Sequence, residues 1–407
     1  MRSPTIKLGF AIAAIGACIV AASRPVSGAP VPKTPARWMQ AIERPHRGWD
    51  YDGNRILGYV DNKVCLWDAT TGKVLDKWRT HKEHIFTVQF SPDGDRVLTC
   101  WWMGPGPISY KSKDTRTIIW SLKPGFDMVV LYDQVAGEFS PDGKRVVTFT
   151  ARPGELSSFD ATVWEVKPKR EIIKVVLDKY ADPEWDALHF SPDGRTFALV
   201  KHGAFRPYND CEVVLYDAKD SGEIGRSGRK DGGHRFTSTG ALASFGGEAA
   251  VLTDATSGKE LASVKHGLKS AWGALWTHDG KRVAALPTDE SEIKILDISS
   301  GKIAVGAKCG PYPLASAMVS PDSNTLAIEW GGANKVEPGL GLYDMITGKE
   351  IARIKLAEWG HIIGFAPDSK TFLVGGSEFV IYDAETGKKI RALKLLDDVS
   401  FEHDWHR

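Results

Sequence analysis

Neither sign of charge dominates this 407-residue sequence: 52 Lys and Arg stand against 51 Asp and Glu, a formal net charge of +1. Binding nucleic acid or an anionic membrane through bulk electrostatics needs a basic surplus, so those partner classes are excluded. Cysteine is scarce, five in all, at positions 18, 65, 100, 211 and 309. No two form a C-x-x-C pair, which removes zinc ribbons and thioredoxin-type redox centres. No apolar run reaches the roughly 20 residues of a membrane helix. No G-x-S-x-G nucleophile elbow occurs. The glycine pairs 246–247 and 331–332 sit between strand-like segments rather than between a strand and a helix, so they read as turns and not as phosphate-cradling loops.

The N-terminus carries Arg2 and Lys7 ahead of an apolar stretch over 8–22. That order reads as an export signal, cleaved near Val20-Ala21-Ala22 or Val26-Ser27-Gly28. The expected division is a signal and cleavage region 1–28, a linker or partial first strand 29–46, a repeat domain 47–394 and a C-terminal tail 395–407. The mature protein is expected outside the cytoplasm, in a periplasm or beyond the cell. Membrane attachment enters only through lipidation of Cys18, in the lipobox-like Ile15-Gly16-Ala17-Cys18, or through an uncleaved signal. The other four cysteines read as small buried apolar side chains, with a Cys65–Cys100 bridge as the alternative.

Glycine is abundant, 41 residues with 22 prolines, and much of it falls in a repeated turn. The phrase is Ser91-Pro92-Asp93-Gly94, Ser140-Pro141-Asp142-Gly143, Ser191-Pro192-Asp193-Gly194, Ser320-Pro321-Asp322-Ser323 and Ala366-Pro367-Asp368-Ser369. Weaker copies are Tyr51-Asp52-Gly53, Ser238-Thr239-Gly240 and His278-Asp279-Gly280. Pro fixes φ, Asp bonds to nearby backbone N–H groups and Gly accepts the positive φ that closes a hairpin. Successive copies are 41, 49, 51, 46, 40, 43 and 46 residues apart, the period of propeller blades.

A second phrase follows in each unit, as in Leu66-Trp67-Asp68-Ala69-Thr70-Thr71-Gly72-Lys73, Leu252-Thr253-Asp254 through Lys259, and Ile381-Tyr382-Asp383 through Lys388. Trp120-Ser121 and Trp164-Glu165 are degraded forms. It reads as a strand, a tight turn and a fourth, outer strand. Third strands such as Val213-Val214-Leu215-Tyr216 are apolar on both faces, because blades pack on both sides. The expected fold is all-β: one propeller of four-stranded antiparallel blades, eight in number, with seven as the alternative. The tail 398–404 looks like one more inner strand that closes the first blade.

These paired phrases resemble WD40-repeat β-propellers, and the looser units resemble exported bacterial repeats of the quinoprotein-like and YVTN-like superfamily. The Gly-His pair that precedes the first strand in strict WD repeats is missing. In quinone-dependent propellers a Trp follows the turn glycine at the fourth position and docks the next blade. Here those places hold Asp76, Ala262, Val305, Ala352 and Arg391, so no quinone, and no other cofactor, is expected.

Chemistry has few footholds. His81 with His84, and His403 with His406, lack carboxylate or thiolate company and read as loop residues, so no metal site is assigned. Glu184, Asp186 and Glu358, near the starts of first strands, are the residues a channel-mouth lactonase or hydrolase would use, and that is the alternative function. The leading reading is non-enzymatic: an extracytoplasmic scaffold whose partner is a protein, or else a glycan. It rests on long connections between second and third strands in units two, three, four and seven. These contain Trp101, Trp102, Tyr110, Phe205, Arg206, Tyr208 and Trp330, types that anchor interfaces when exposed. Trp185, Trp272 and Trp359, just before first strands, are the channel-mouth candidates.

Overall fold

The computed structural model describes residues 49–60, 63–79, 85–101, 115–123, 128–151, 159–176, 188–202, 211–220, 222–229, 234–246, 249–265, 273–286, 292–308, 314–330, 337–356, 360–376 and 378–393. Within them 32 strands form eight four-stranded antiparallel sheets, each in simple sequence order. The blades span Trp49–Arg79, Ile85–Tyr132, Val135–Val176, Leu188–Arg229, His234–Lys265, Gly273–Lys308, Leu314–Lys355 and His361–Leu393. First strands touch between blades one and two, two and three, four and five, six and seven, and seven and eight, and those of blades one and eight touch as well. First strands therefore form the inner wall, fourth strands form the rim, and the ring is closed. Eight blades is the count that both turn phrases predict. Blade one draws all four strands from Trp49–Arg79, and the tail from 394 onward lies outside the described residues.

The turn phrases fold as their chemistry requires. In blade three, Ser140 Oγ donates to Asp142 at 2.7 Å and accepts the Arg145 N–H at 2.9 Å, while Gly143, at φ 65°, donates to Ser140 O. In the outer turn of blade one, Asp68 Oδ1 accepts the N–H groups of Thr70 and Thr71 and the Thr71 hydroxyl, at 2.6–2.9 Å. Just after this turn the outer strand carries a β-bulge in blades one, three, four, five, seven and eight. The residue left unpaired there is Leu75, Ile172, Ile224, Leu261, Ile351 or Ile390. A bulge adds twist, so the repeated one helps tilt each rim strand onto the following blade.

Buried apolar side chains fill the spaces between blades. One cluster joins Phe149 and Val163 of blade three to Phe190 and Phe197 of blade four, and another joins Trp67 of blade one to Phe379 and Ile381 of blade eight. Cys65 and Cys100 are buried thiols with no bridge between them; Cys65 packs in the cluster shared by blades one and eight, and Cys100 Sγ accepts from Thr117 Oγ1 within its own sheet.

The seams are stapled by a short polar vocabulary. In blades one to three an arginine opens the second strand and reaches forward. Arg55 lies 4.8 Å over the Phe90 ring and donates to Gly94 O at 2.7 Å, Arg96 lies 5.6 Å over Phe139, and Arg145 donates to Gly194 O and Ala218 O. Thr196 Oγ1 donates to Ala255 O between blades four and five, and the Ser238 N–H to His278 O between five and six. The last two internal seams use serine: the Asp279 and Asp322 N–H groups donate to Ser323 Oγ and Ser369 Oγ. Closure from blade eight to blade one uses a 3.2 Å hydrogen bond between Tyr51 and Thr371, the Trp49–Phe379 ring contact at 4.6 Å, and Arg391 donating to Thr70 O.

Farther out, the fourth strand of one blade rests on the outer turn of the next. A Cβ built at Gly387 would come within 2.4 Å of the Ala352 Cβ. Ala352 and Arg391, at equivalent places in their rim strands, thus both contact the outer turn of the next blade.

Candidate functional site: the loop face and the inner wall

Antiparallel order puts the first-to-second and third-to-fourth turns on one face. Apart from the connection 122–128 of blade two, these are short turns, several of them bonded to the next blade's. The second-to-third loops and the blade-to-blade connections emerge on the opposite face. Four of those loops, after Trp101, Ala151, His202 and Trp330, are the long ones.

The described residues reach few of the predicted anchors. Trp101 ends the second strand of blade two, and nothing further is described of its side chain. Trp102, Tyr110, Phe205, Arg206, Tyr208, Trp185, Trp272 and Trp359 lie outside the described residues, as do Glu184, Asp186 and Glu358.

Trp330 is described, and it is not an exposed anchor. It is 5% exposed within the core shared by blades six and seven. Its indole fills the space above Gly339, where a Cβ would come within 2.6 Å, and the Arg353 guanidinium lies 5.2 Å from the ring. The residue still belongs to the sheet, paired with Gly339, so its side chain points between blades rather than into the loop. Trp330 closes the base of that loop.

The sequence reading missed several polar contacts on this face and along the inner wall. Glu329, buried beside Trp330, accepts from Ser316 Oγ at 2.8 Å and from the Ile362 N–H at 3.2 Å, and pairs with His361 Nδ1 at 2.6 Å. One carboxylate thus joins blades seven and eight at the root of the long loop. Glu138 and His189 hold equivalent places on the first strands of blades three and four, with 3.2 Å between Oε2 and Nδ1. A carboxylate only accepts, so the proton lies on Nδ1 in both pairs. His189 Nε2 is buried with no hydrogen-bond partner among the described residues.

Arg235, on the first strand of blade five, contacts the ring of His278 in the turn of blade six. Burial, and then the Arg235 charge, push His278 well below its ordinary pKa, which keeps the imidazole neutral. These contacts are pairs and not clusters: among the described residues no three metal-ligating side chains stand together.

One exposed aromatic is present at the loop-face edge of blade two. Tyr132 is 60% exposed, with Arg116 at 5.7 Å and Lys169 at 5.8 Å from its ring. The sequence carries only a weak signal for it, a Tyr that closes an otherwise aliphatic rim strand, and that signal does not report its exposure.

No protein-family model matches the chain. In sequence it is 22% identical over 184 residues to a retinoblastoma-binding protein 5 homolog of Drosophila melanogaster, a match covering 45% of this chain and 34% of that protein. The match thus spans about a third of that relative's length. In structure the chain is similar to the C-terminal WD40 domain of Sif2, with a TM-score of 0.58 at 11% identity, covering 83% of this chain and 95% of that one. It is also similar to the dihydro-heme d1 dehydrogenase NirN, with a TM-score of 0.57 at 16% identity, covering 95% of this chain and 84% of that one. Identities at this level speak to fold alone.

Proposed function

With an eight-bladed WD40-type propeller as the premise, we propose that the chain is a non-enzymatic interaction scaffold that binds a protein partner on its loop face, outside the cytoplasm. The observation that carries this reading is the asymmetry of the disc. One face carries short turns in seven of the eight blades, several bonded to the next blade's, while the other carries the four long connections and the exposed Tyr132. Such faces recruit partners through aromatic and Arg anchors. A retinoblastoma-binding relative and a WD40 neighbour agree with a protein ligand, and a glycan is the other ligand class. Export is supported by the basic start and apolar run at the N-terminus.

Affinity capture from native extracts with the full chain tests this. Deleting residues 104–113 abolishes capture while thermal melting is unchanged; retained capture overturns the reading. Fractionation of cells expressing the full-length chain tests export.

A second reading, a channel-borne hydrolase, is favoured by the Glu138–His189 pair, since a carboxylate-oriented imidazole is the arrangement of a general base, and by the likeness to the dehydrogenase NirN, an enzyme built on a propeller. Turnover of an ester or lactone panel that is lost in His189→Ala would establish it.

A further inference from the structure

We propose that the outer edge of blade two accepts an extended segment of a protein partner, which adds to that sheet as a fifth strand. The idea takes its ligand class from the scaffold reading and moves the contact from the long loops to a strand edge.

The fourth strand of every blade exposes an unpaired edge, and sheets discourage foreign pairing there with charged side chains. Seven of the eight rim strands follow that rule, each with one to three charged residues, as in Val74–Arg79, Arg170–Val176 and Glu350–Lys355. The rim strand of blade two, Val129–Tyr132, reads Val-Val-Leu-Tyr and carries none.

Its backbone is oriented for pairing. The Asp133 N–H donates inward to Thr115 O at 2.8 Å. Antiparallel ladders alternate, so Leu131 and Val129 bond the third strand while Val130 and Tyr132 turn their N–H groups outward; of their carbonyls, Tyr132 O accepts from Gln134 Nε2 at 3.3 Å. Lys169 of blade three shows the same direction, because its ammonium donates to Val130 O at 2.6 Å. A neighbour's lysine therefore lies across an edge that has no charge of its own.

The partner's character follows from what frames the edge. Arg116 and Lys169 flank the Tyr132 ring, and among the described residues of this strand end the one exposed carboxylate is Asp133. An extended segment bonded to Val130 and Tyr132, with a carboxylate near the ring, meets both cations and covers the aromatic face.

The test uses the full chain and a fluorescein-labelled peptide of alternating Val and Thr with Glu at each end, read by anisotropy. The acidic peptide binds, and versions with a central Pro or with Lys in place of Glu bind at least tenfold more weakly. Val130→Pro removes an outward N–H and no ladder bond, and it weakens binding at least tenfold with melting unchanged. Tyr132→Lys, which charges the edge without touching the backbone, does the same should Val130→Pro fail to fold. Equal binding by either folded variant or by the Pro peptide overturns the proposal. So does a dimer in sedimentation velocity that Val130→Pro abolishes and the peptide does not displace, which assigns the edge to a second copy of the chain. Deletion of residues 104–113 leaves this peptide's affinity unchanged, so failure of the loop-face reading and failure of this one are separable.

Discussion

Ser369 Oγ accepts the backbone N–H of Asp322 at 2.9 Å across the seam between blades seven and eight. Ser369 holds φ 61° and Ser323 φ 69°, a region costly for side chains with a Cβ, at turn positions where the other phrases carry Gly. The hydroxyl offsets that strain with a bond between blades. Ser369→Gly relieves the backbone but loses the bond, so stability changes by less than about 1 kcal/mol. Ser369→Ala keeps the strain and strands the Asp322 N–H, at about 1–3 kcal/mol. Urea denaturation of the two variants should rank Ala well below Gly; the reverse order would show that the hydroxyl is idle.

Gly58 makes room for a ring. A Cβ there would lie 2.2 Å from Trp49, whose indole is held between Trp67 at 5.5 Å and Phe379 at 4.6 Å and so has little room to retreat. The matching position in blades two and three is Thr99 or Thr148, each accepting the Nε1–H of Trp120 or Trp164 at 2.9 Å, while Trp67 Nε1 has no partner among the described residues. Gly58→Ala should cost about 3 kcal/mol through overpacking. Gly364→Ala, where the added methyl meets nothing within 4 Å, should be neutral. Melting temperatures of the pair decide it.

The outer turns predict acid sensitivity. Hydrogen bonds from the Ser299 and Ser300 hydroxyls lower the Asp297 pKa to about 2, and hydroxyl donors lower Asp254 and Asp383 in the same direction. A pKa depressed on folding contributes stability that is complete above the unfolded value of about 3.9 and is lost as pH falls toward the folded one. Replacing all three by Asn should flatten the fall in denaturation midpoint between about pH 4 and pH 2 relative to the parent chain. Parallel pH profiles would contradict this account of the turns.

Glu329 serves two blades. Glu329→Ala leaves the Ser316 hydroxyl, the Ile362 N–H and His361 without their shared acceptor, at about 3 kcal/mol. Glu329→Gln, which keeps one acceptor oxygen, should cost less. Equal urea midpoints for Glu329→Ala and the parent would remove the carboxylate from any stapling role.

The blade count was legible because both turn phrases are local. Ser, Pro, Asp and Gly act on backbone groups within five residues, so their chemistry shows in the one-dimensional text. The seams were not legible, because they join residues such as Glu329 and His361 or Tyr51 and Thr371 whose meeting depends on the ring having closed. Trp330 was misjudged for a related reason. A strand's last residue and a loop's first look alike in sequence, and only the pairing with Gly339 reveals which it is. Tyr132 was missed because exposure at a strand end depends on the neighbouring blade.

Because the staples differ around the ring, arginine over an aromatic in two places, arginine on backbone carbonyls in a third, serine under an amide in two, tyrosine against threonine at the close, each blade is matched to one kind of successor. The disc is an ordered series rather than a stack of interchangeable parts. Duplicating blade two would set Arg96 against a second copy of Phe90 and preserve its seam, whereas duplicating blade seven would leave blade eight's Ser369 with a proper neighbour but face the copied Ser323 with Asp322 in place of Asp279, another serine-under-amide match. Exchanging blades two and seven would break both vocabularies at once. Growth of such a ring by copying is open within a run of like staples and closed across the boundaries between runs.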